Sequence, residues 1–153
     1  QACLYYYFKS KDAALAEVCR IGVQDYVERL ITISQSDISA EQKIREAIRE
    51  HLQPFHDLRN YVQVFQNERR YLAGENRAEV NKLAKKYEGE LRRLFEAGVA
   101  SGGFRQDLDC KLATLALLGM CNSVMIWYDG KSKKQIQQIA NYYADIIIGG
   151  ILK

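Results

Sequence analysis

Proline occurs once in 153 residues, at Pro54, and glycine ten times. Little interrupts the backbone, so long segments are free to be helical. Histidine occurs twice, as His51 and His56 on either side of the proline. On a helix the two would stand roughly 140° apart, which does not make a paired metal site. The four cysteines, Cys3, Cys19, Cys110 and Cys121, form no CxxC pair. Scattered over predicted helix faces, they argue for a reduced, intracellular setting, and a cytoplasmic location is expected. No GxSxG, HExxH or phosphate-binding loop occurs. Asp107 and Asp109 read as helix-start residues rather than as an acid and base pair. The expectation is no enzyme, no metal and no cofactor. Low-complexity tracts are missing too, and a chain 48% hydrophobic and 27% charged has the make-up of an ordinary folded protein. A net charge of +3 permits an acidic partner without arguing for one. The opening QACLYYYFKSK is not a basic and then apolar leader. The uncharged run from Leu112 to Tyr128 is interrupted by Thr114, Asn122 and Ser123 and flanked by Asp109 and Asp129, which speaks against a membrane span.

What is present is helical periodicity throughout, on a chain long enough to bury one core without disulfides or metals. Ser10 is an N-cap candidate before a helix from Lys11 to Gln35, with Ala13, Ala14, Val18, Cys19, Gly22, Tyr26, Leu30 and Ile33 as its apolar stripe. Ser39 and Gln42 are spaced as a capping box, opening a helix with Ile44, Ala47, Ile48 and Leu52 on one face. Pro54 ends or kinks it. A three-four spacing then runs through Leu58, Val62, Phe65 and Leu72 to Gly74. Asn76 and Glu79 read as another capping pair, before a long helix that ends at Gly102 and Gly103. Asp107 is expected to cap the apolar helix Leu108 to Tyr128, and Ser132 the last one. That last helix carries Ile136, Ile139, Ala140, Tyr143, Ile147 and Ile151 on one face, with Tyr142, Ile146 and Gly149 as a second apolar flank.

Two apolar helices in succession, each wider in its stripe than one core contact requires, are expected to pair antiparallel. They would bury their surplus against a second copy in a four-helix interface. Leu117, Met120, Val124, Ile136, Tyr143, Ile147 and Ile151 are the residues expected there. A plain buried helical hairpin is the alternative. Asn122 stands out as an amide in an apolar helix, which costs roughly 1 to 3 kcal/mol unless it finds a partner. The partner would be a ligand, a tyrosine across the bundle or the other subunit.

The opening stretch is aromatic. Four rings in a row, Tyr5 to Phe8, cannot all point inward on a helix, so some must be presented outward beside Lys9 and Lys11. They form either a phosphate-binding patch or a helix end packed on the next helix. The text LYYYFKSKDAALAEV, Leu4 to Val18, resembles the close of the DNA-binding head of the TetR family of bacterial transcriptional regulators. The resemblance implies an all-α, TetR-like ligand-binding and dimerisation domain over 11–153, with residues 1–10 as the remnant of an N-terminal helix-turn-helix. It implies that Tyr5 and Tyr7 contact phosphate or base edges and Lys11 phosphate, while Tyr6 and Phe8 pack inward. Most of the head is expected to be missing, so operator DNA would be bound only with the missing N-terminal helices.

The stretch GFRQDLDCKLATLALLGMCNSVMIWYDGK, Gly103 to Lys131, is similar to the C-terminal domain of acyl-CoA-responsive members of that family, which control fatty-acid or sterol degradation. A hydrophobic effector, with long-chain acyl-CoA as the best guess, is thereby implied. Tyr61, Phe65, Tyr87, Phe95 and Trp127 are more bulky, partly polar rings than a merely filled core needs, and with Leu91 they are expected to line a cavity. Arg69, Arg70, Arg92 and Arg93 read as either a solvated face or cations for phosphates, and Asn122 as a partner for a carbonyl. Other hydrophobic or multidrug effectors form the second reading, and a helical dimerisation or adaptor module without small ligand the third.

Overall fold

The computed structural model describes residues 10–152. The chain folds into α1 (Lys11–Gln35), α2 (Ala40–Leu52), the short α3 (Pro54–Asp57), α4 (Arg59–Glu68), a 3₁₀ turn (Arg69–Tyr71), α5 (Gly74–Ala100), α6 (Cys110–Trp127) and α7 (Lys133–Ile151). Among the described residues the only extended pairing is an isolated bridge between Phe104 and Leu152, where the Arg105 amide donates to the Ile151 carbonyl at 2.9 Å. The fold is all-α.

Side-chain caps fix most helix starts. Ser10 Oγ accepts from the Ala13 amide at 3.0 Å. Ser39 and Gln42 form the reciprocal capping box, and Ser132 accepts from the Gln135 amide at 3.2 Å. Two expected caps are corrected. Asp109, not Asp107, accepts from the Leu112 amide at 2.9 Å and starts α6. Asn76 caps nothing, because α5 has already begun at Gly74, and its amide donates instead to Asp12 Oδ2 on α1 at 2.7 Å. Pro54 occupies the first turn of α3, where a missing N–H leaves no hydrogen bond unmade, so the chain bends there without losing helix. The next break falls at Leu58, which is non-helical and 49% exposed, not a core position.

The core has two unequal parts. The larger is centred on α2, whose Ile44, Ala47, Ile48 and Leu52 are buried among α1, α5, α6 and α7. A smaller cluster of Ala16, Cys19, Leu72 and Val80, with Leu15 and Phe65 against it, ties the N-terminal half of α1 to the 3₁₀ region and the start of α5. On α1 the buried line is Ala16, Cys19, Val23, Val27 and Leu30, rotated from the expected stripe because α5 covers more of this helix than any other element does.

The last two helices are arranged differently from the expected hairpin. α7 packs chiefly on α2 and α6 on α5, and α6 and α7 touch each other little. Leu117, Val124, Ile136, Ile147 and Ile151 are buried in the chain's own core, and Met120 and Tyr143 pack half-buried against it. The five buried positions therefore face the chain's own core, while Met120 and Tyr143 stay partly accessible. The apolar surface left outside is a different set: Leu112, Leu115, Ile126 and Trp127 on α6, and Tyr142 and Ile146 on α7. α6 is long and apolar enough to cross a membrane by length and composition, but one line of it, Thr114, Leu117, Cys121 and Val124, is built into the core.

Candidate functional site

Between α1, α4, α5 and α6, with α2 and α3 at its inner end, the helices leave a cavity of about 380 Å³. That is within the range of small-molecule sites. Its inner wall is apolar and aromatic, from Val23, Tyr26, Phe55, Val62, Phe65 and Leu118. The lining residues that solvent reaches most are Arg69, Asn81, Lys85 and Asn122, which mark the opening. Arg69 lies over the Phe65 ring, 5.2 Å from its centroid, so a cation is held above an aromatic wall. Glu88, half-buried, is the one carboxylate among the lining residues.

One wall carries a polar network. His51, 7% exposed, meets the Tyr87 hydroxyl at 2.9 Å through Nδ1 and Asn122 Oδ1 at 3.3 Å through Nε2. The Gln66 amide donates to the same Asn122 oxygen at 3.3 Å, and the Tyr26 hydroxyl donates to the His51 carbonyl at 3.2 Å. Burial pushes His51 down to about 4, against the opposing pull of the Asn122 hydrogen bond, so the ring is neutral at pH 7. A neutral ring has one donor and one acceptor nitrogen, and the partners decide which is which. Asn122 Oδ1 can only accept, so Nε2 carries the proton and Nδ1 accepts from the Tyr87 hydroxyl. Burial also raises Tyr26 and Tyr87 above the ordinary phenol value and Cys121 to about 12, so this region is uncharged.

Tyr61 closes the α1 side. Its hydroxyl donates to the Val18 carbonyl, and its ring lies against Gly22, where an added Cβ would stand 2.5 Å from the hydroxyl oxygen. Glycine at position 22 is thus the space that lets α4 meet α1. Outside the cavity, Tyr128 donates to the Ser132 carbonyl at 2.9 Å and meets His56 Nδ1 at 3.1 Å, fastening the α6–α7 loop to α3.

Of the expected cavity residues, Tyr61, Phe65, Arg69, Tyr87 and Asn122 stand together in the wall. Leu91 and Phe95 do not. Both are fully buried, Phe95 against Phe104. Trp127 lies outside at the end of α6, 52% exposed. Arg92 and Arg93 pair with Glu96 and Glu90 on the surface of α5, and Arg70 stacks on Tyr71, so Arg69 and Lys85 are the cations of the opening. Asn122 is exposed, not buried, and its partners are His51 and Gln66. Spacing alone rejects His51 as a metal ligand and assigns it no other role, although it continues the apolar series Ile44, Ile48, Leu52 and Phe55 on its inward side. Lys11 is exposed at the start of α1, while Tyr5 and Tyr7 lie outside the described residues. Among the described residues no group of three His, Cys, Asp or Glu is placed to hold a metal ion.

The family described as "Tetracyclin repressor-like, C-terminal domain" matches residues 37–151. The fatty acid metabolism regulator protein of Bacillus subtilis is 25% identical over 149 residues, 97% of this chain and 77% of that protein. The TetR family transcriptional regulator PfmR from Thermus thermophilus superposes with a TM-score of 0.89 at 25% identity, over 97% of this chain and 80% of that one. The transcriptional regulator FadR from Bacillus subtilis, solved in complex with stearoyl-CoA, superposes with a TM-score of 0.80 at 25% identity, over 98% and 81%.

Proposed function

This chain belongs to the tetracyclin repressor-like family through its C-terminal domain, and from that premise we propose that it is the effector-binding body of a transcriptional repressor whose ligand is a long-chain acyl-CoA. The observation that carries the reading is the cavity: an aromatic and aliphatic interior whose opening holds two cations, Arg69 and Lys85. Each methylene buried inside gains about 0.8 kcal/mol, enough for a chain to bind with few hydrogen bonds. The cations at the opening face the phosphates of the coenzyme. The relative solved with stearoyl-CoA supports the same chemistry. A structural dimerisation module has no use for such a space.

Residues 11–153 are the effector and dimer body, and 1–10 the close of a DNA-binding head. Tyr5, Tyr7 and Lys11 contact operator DNA in a protein carrying the complete head, in the cytoplasm. Ligand binding releases DNA because it favours a head spacing that no longer fits two successive major grooves. In such a protein Lys11→Ala weakens operator binding and lowers its salt dependence by about one phosphate contact.

Isothermal titration at pH 7 with hexadecanoyl-CoA, hexadecanoate and free coenzyme A tests the effector. Hexadecanoyl-CoA binds in the micromolar range or tighter. Arg69→Ala and Lys85→Ala each weaken it about tenfold or more, a charged hydrogen bond being worth roughly 1.5 to 3 kcal/mol, and weaken hexadecanoate less. Arg92→Ala changes neither. No heat from any of the three ligands sinks the acyl-CoA reading. Glu88 in the same wall favours a second reading, a hydrophobic cation, which tetraphenylphosphonium in the same titration would reveal.

A further inference from the structure

The polar network in the cavity wall has a direction. Tyr87 donates to His51 Nδ1, His51 Nε2–H donates to Asn122 Oδ1, and Gln66 donates to that same oxygen. With its oxygen taken twice, the Asn122 amide is held in one orientation. Its Nδ2 group, two N–H donors, has no protein acceptor among the described residues and stands at the cavity opening. Successive hydrogen bonds in a chain polarise one another, so the terminal donor is strengthened as well as fixed. The relay thus ends in a strong, uncharged donor at the border between the apolar interior and the cationic rim.

We propose that Asn122, aligned by His51 and Tyr87, donates to the thioester carbonyl oxygen of the effector and makes the site selective for an acyl thioester. This rests on the acyl-CoA reading and deepens it. In an acyl-CoA one uncharged acceptor oxygen lies where the buried chain meets the exposed head, and Asn122 occupies that boundary. A ligand with an N–H donor there would meet the two amide hydrogens. Asn122 is the contacting residue, and His51 and Tyr87 are positioning residues.

The test is titration of the chain with hexadecanoyl-CoA and with S-hexadecyl-CoA, the thioether that keeps the chain and coenzyme but lacks the carbonyl. The parent chain binds the thioester about tenfold tighter than the thioether, the worth of one well-made hydrogen bond. Asn122→Leu removes the donor and brings the two affinities together by weakening the thioester more than the thioether, with circular dichroism to show that the chain stays folded although His51 Nε2–H loses its acceptor. Tyr87→Phe frees His51 to exchange its donor and acceptor nitrogens, so Asn122 turns and the thioester loses more affinity than the thioether. A structural role for Tyr87 would weaken both ligands alike. Equal binding of both ligands by the parent chain, or an unchanged preference in Asn122→Leu, overturns the inference and leaves the acyl-CoA reading standing. Failure of the parent chain to bind either ligand overturns both.

Discussion

His51 shows at the scale of one residue how burial is converted into pH dependence. Its folded value is pushed down to about 4 from 6.5, so between those limits the unfolded chain binds a proton that the folded chain refuses. The contribution of a neutral His51 is complete above about pH 6.5 and lost as the pH falls toward 4. Facing it are the Tyr26 and Tyr87 hydroxyls and the nearby Cys121 thiol, which burial keeps protonated through that window. Urea unfolding from pH 7 to 4 should therefore cost the parent chain up to roughly 3 kcal/mol more than it costs His51→Gln, and parallel pH profiles would refute the assignment. Gly22 gives a steric case. An alanine there would gain up to about 1 kcal/mol of helix propensity, but its Cβ would meet Tyr61 at 2.5 Å, so Gly22→Ala should be net destabilising by about 1 to 2 kcal/mol. A more stable Gly22→Ala would mean that Tyr61 swings clear. Tyr61, Phe65 and Tyr87 are legible in sequence as surplus rings, whereas His51 is not, because its value comes from groups 36 and 71 positions away.

Helices are the most legible level. Caps at Ser10 and Ser39 and the bounds Lys11–Gln35 follow from local chemistry that sequence displays directly. Ser39→Ala should cost about 1 kcal/mol in thermal or urea unfolding, since it removes the acceptor for the Gln42 amide and leaves only the backbone half of the capping box. Which face of an element turns inward is another matter. α7 has apolar residues on two sides, and only its seat on α2 selects Ile136, Ala140, Ala144, Ile147 and Ile151 for the interior. The same selection hides Leu91 and Phe95 in the core and puts Trp127 outside. At the end of α5, Gly98 lets the Phe104 ring lie on the helix backbone where a Cβ would collide with it. Gly98→Ala should be destabilising by about 1 to 3 kcal/mol, and a denaturation midpoint equal to the parent's would show that Phe104 has another place to go.

For the whole molecule, the apolar area that the bundle leaves uncovered on α6 and α7 is the argument for a homodimer, since exposed patches of this kind mark association sites. Sedimentation at micromolar concentration should give a dimer. Tyr142→Glu combined with Ile146→Glu should give a folded monomer, and a dimer that survives both changes would move the interface elsewhere. The two-part core has a further consequence, best expressed as time. The N-terminal half of α1 is anchored by four small or medium side chains, while its C-terminal half joins the main cluster. Segments so unequally anchored open separately, each at its own free energy. Backbone amides near Ala16 and Cys19 should exchange with deuterium well before those near Val27 and Leu30. Phe65 belongs both to the small cluster and to the cavity wall, so a ligand that fills the cavity holds that cluster closed. Saturation with hexadecanoyl-CoA should slow the faster half of α1 toward the rate of the slower, so that the helix keeps a single clock only when the cavity is full.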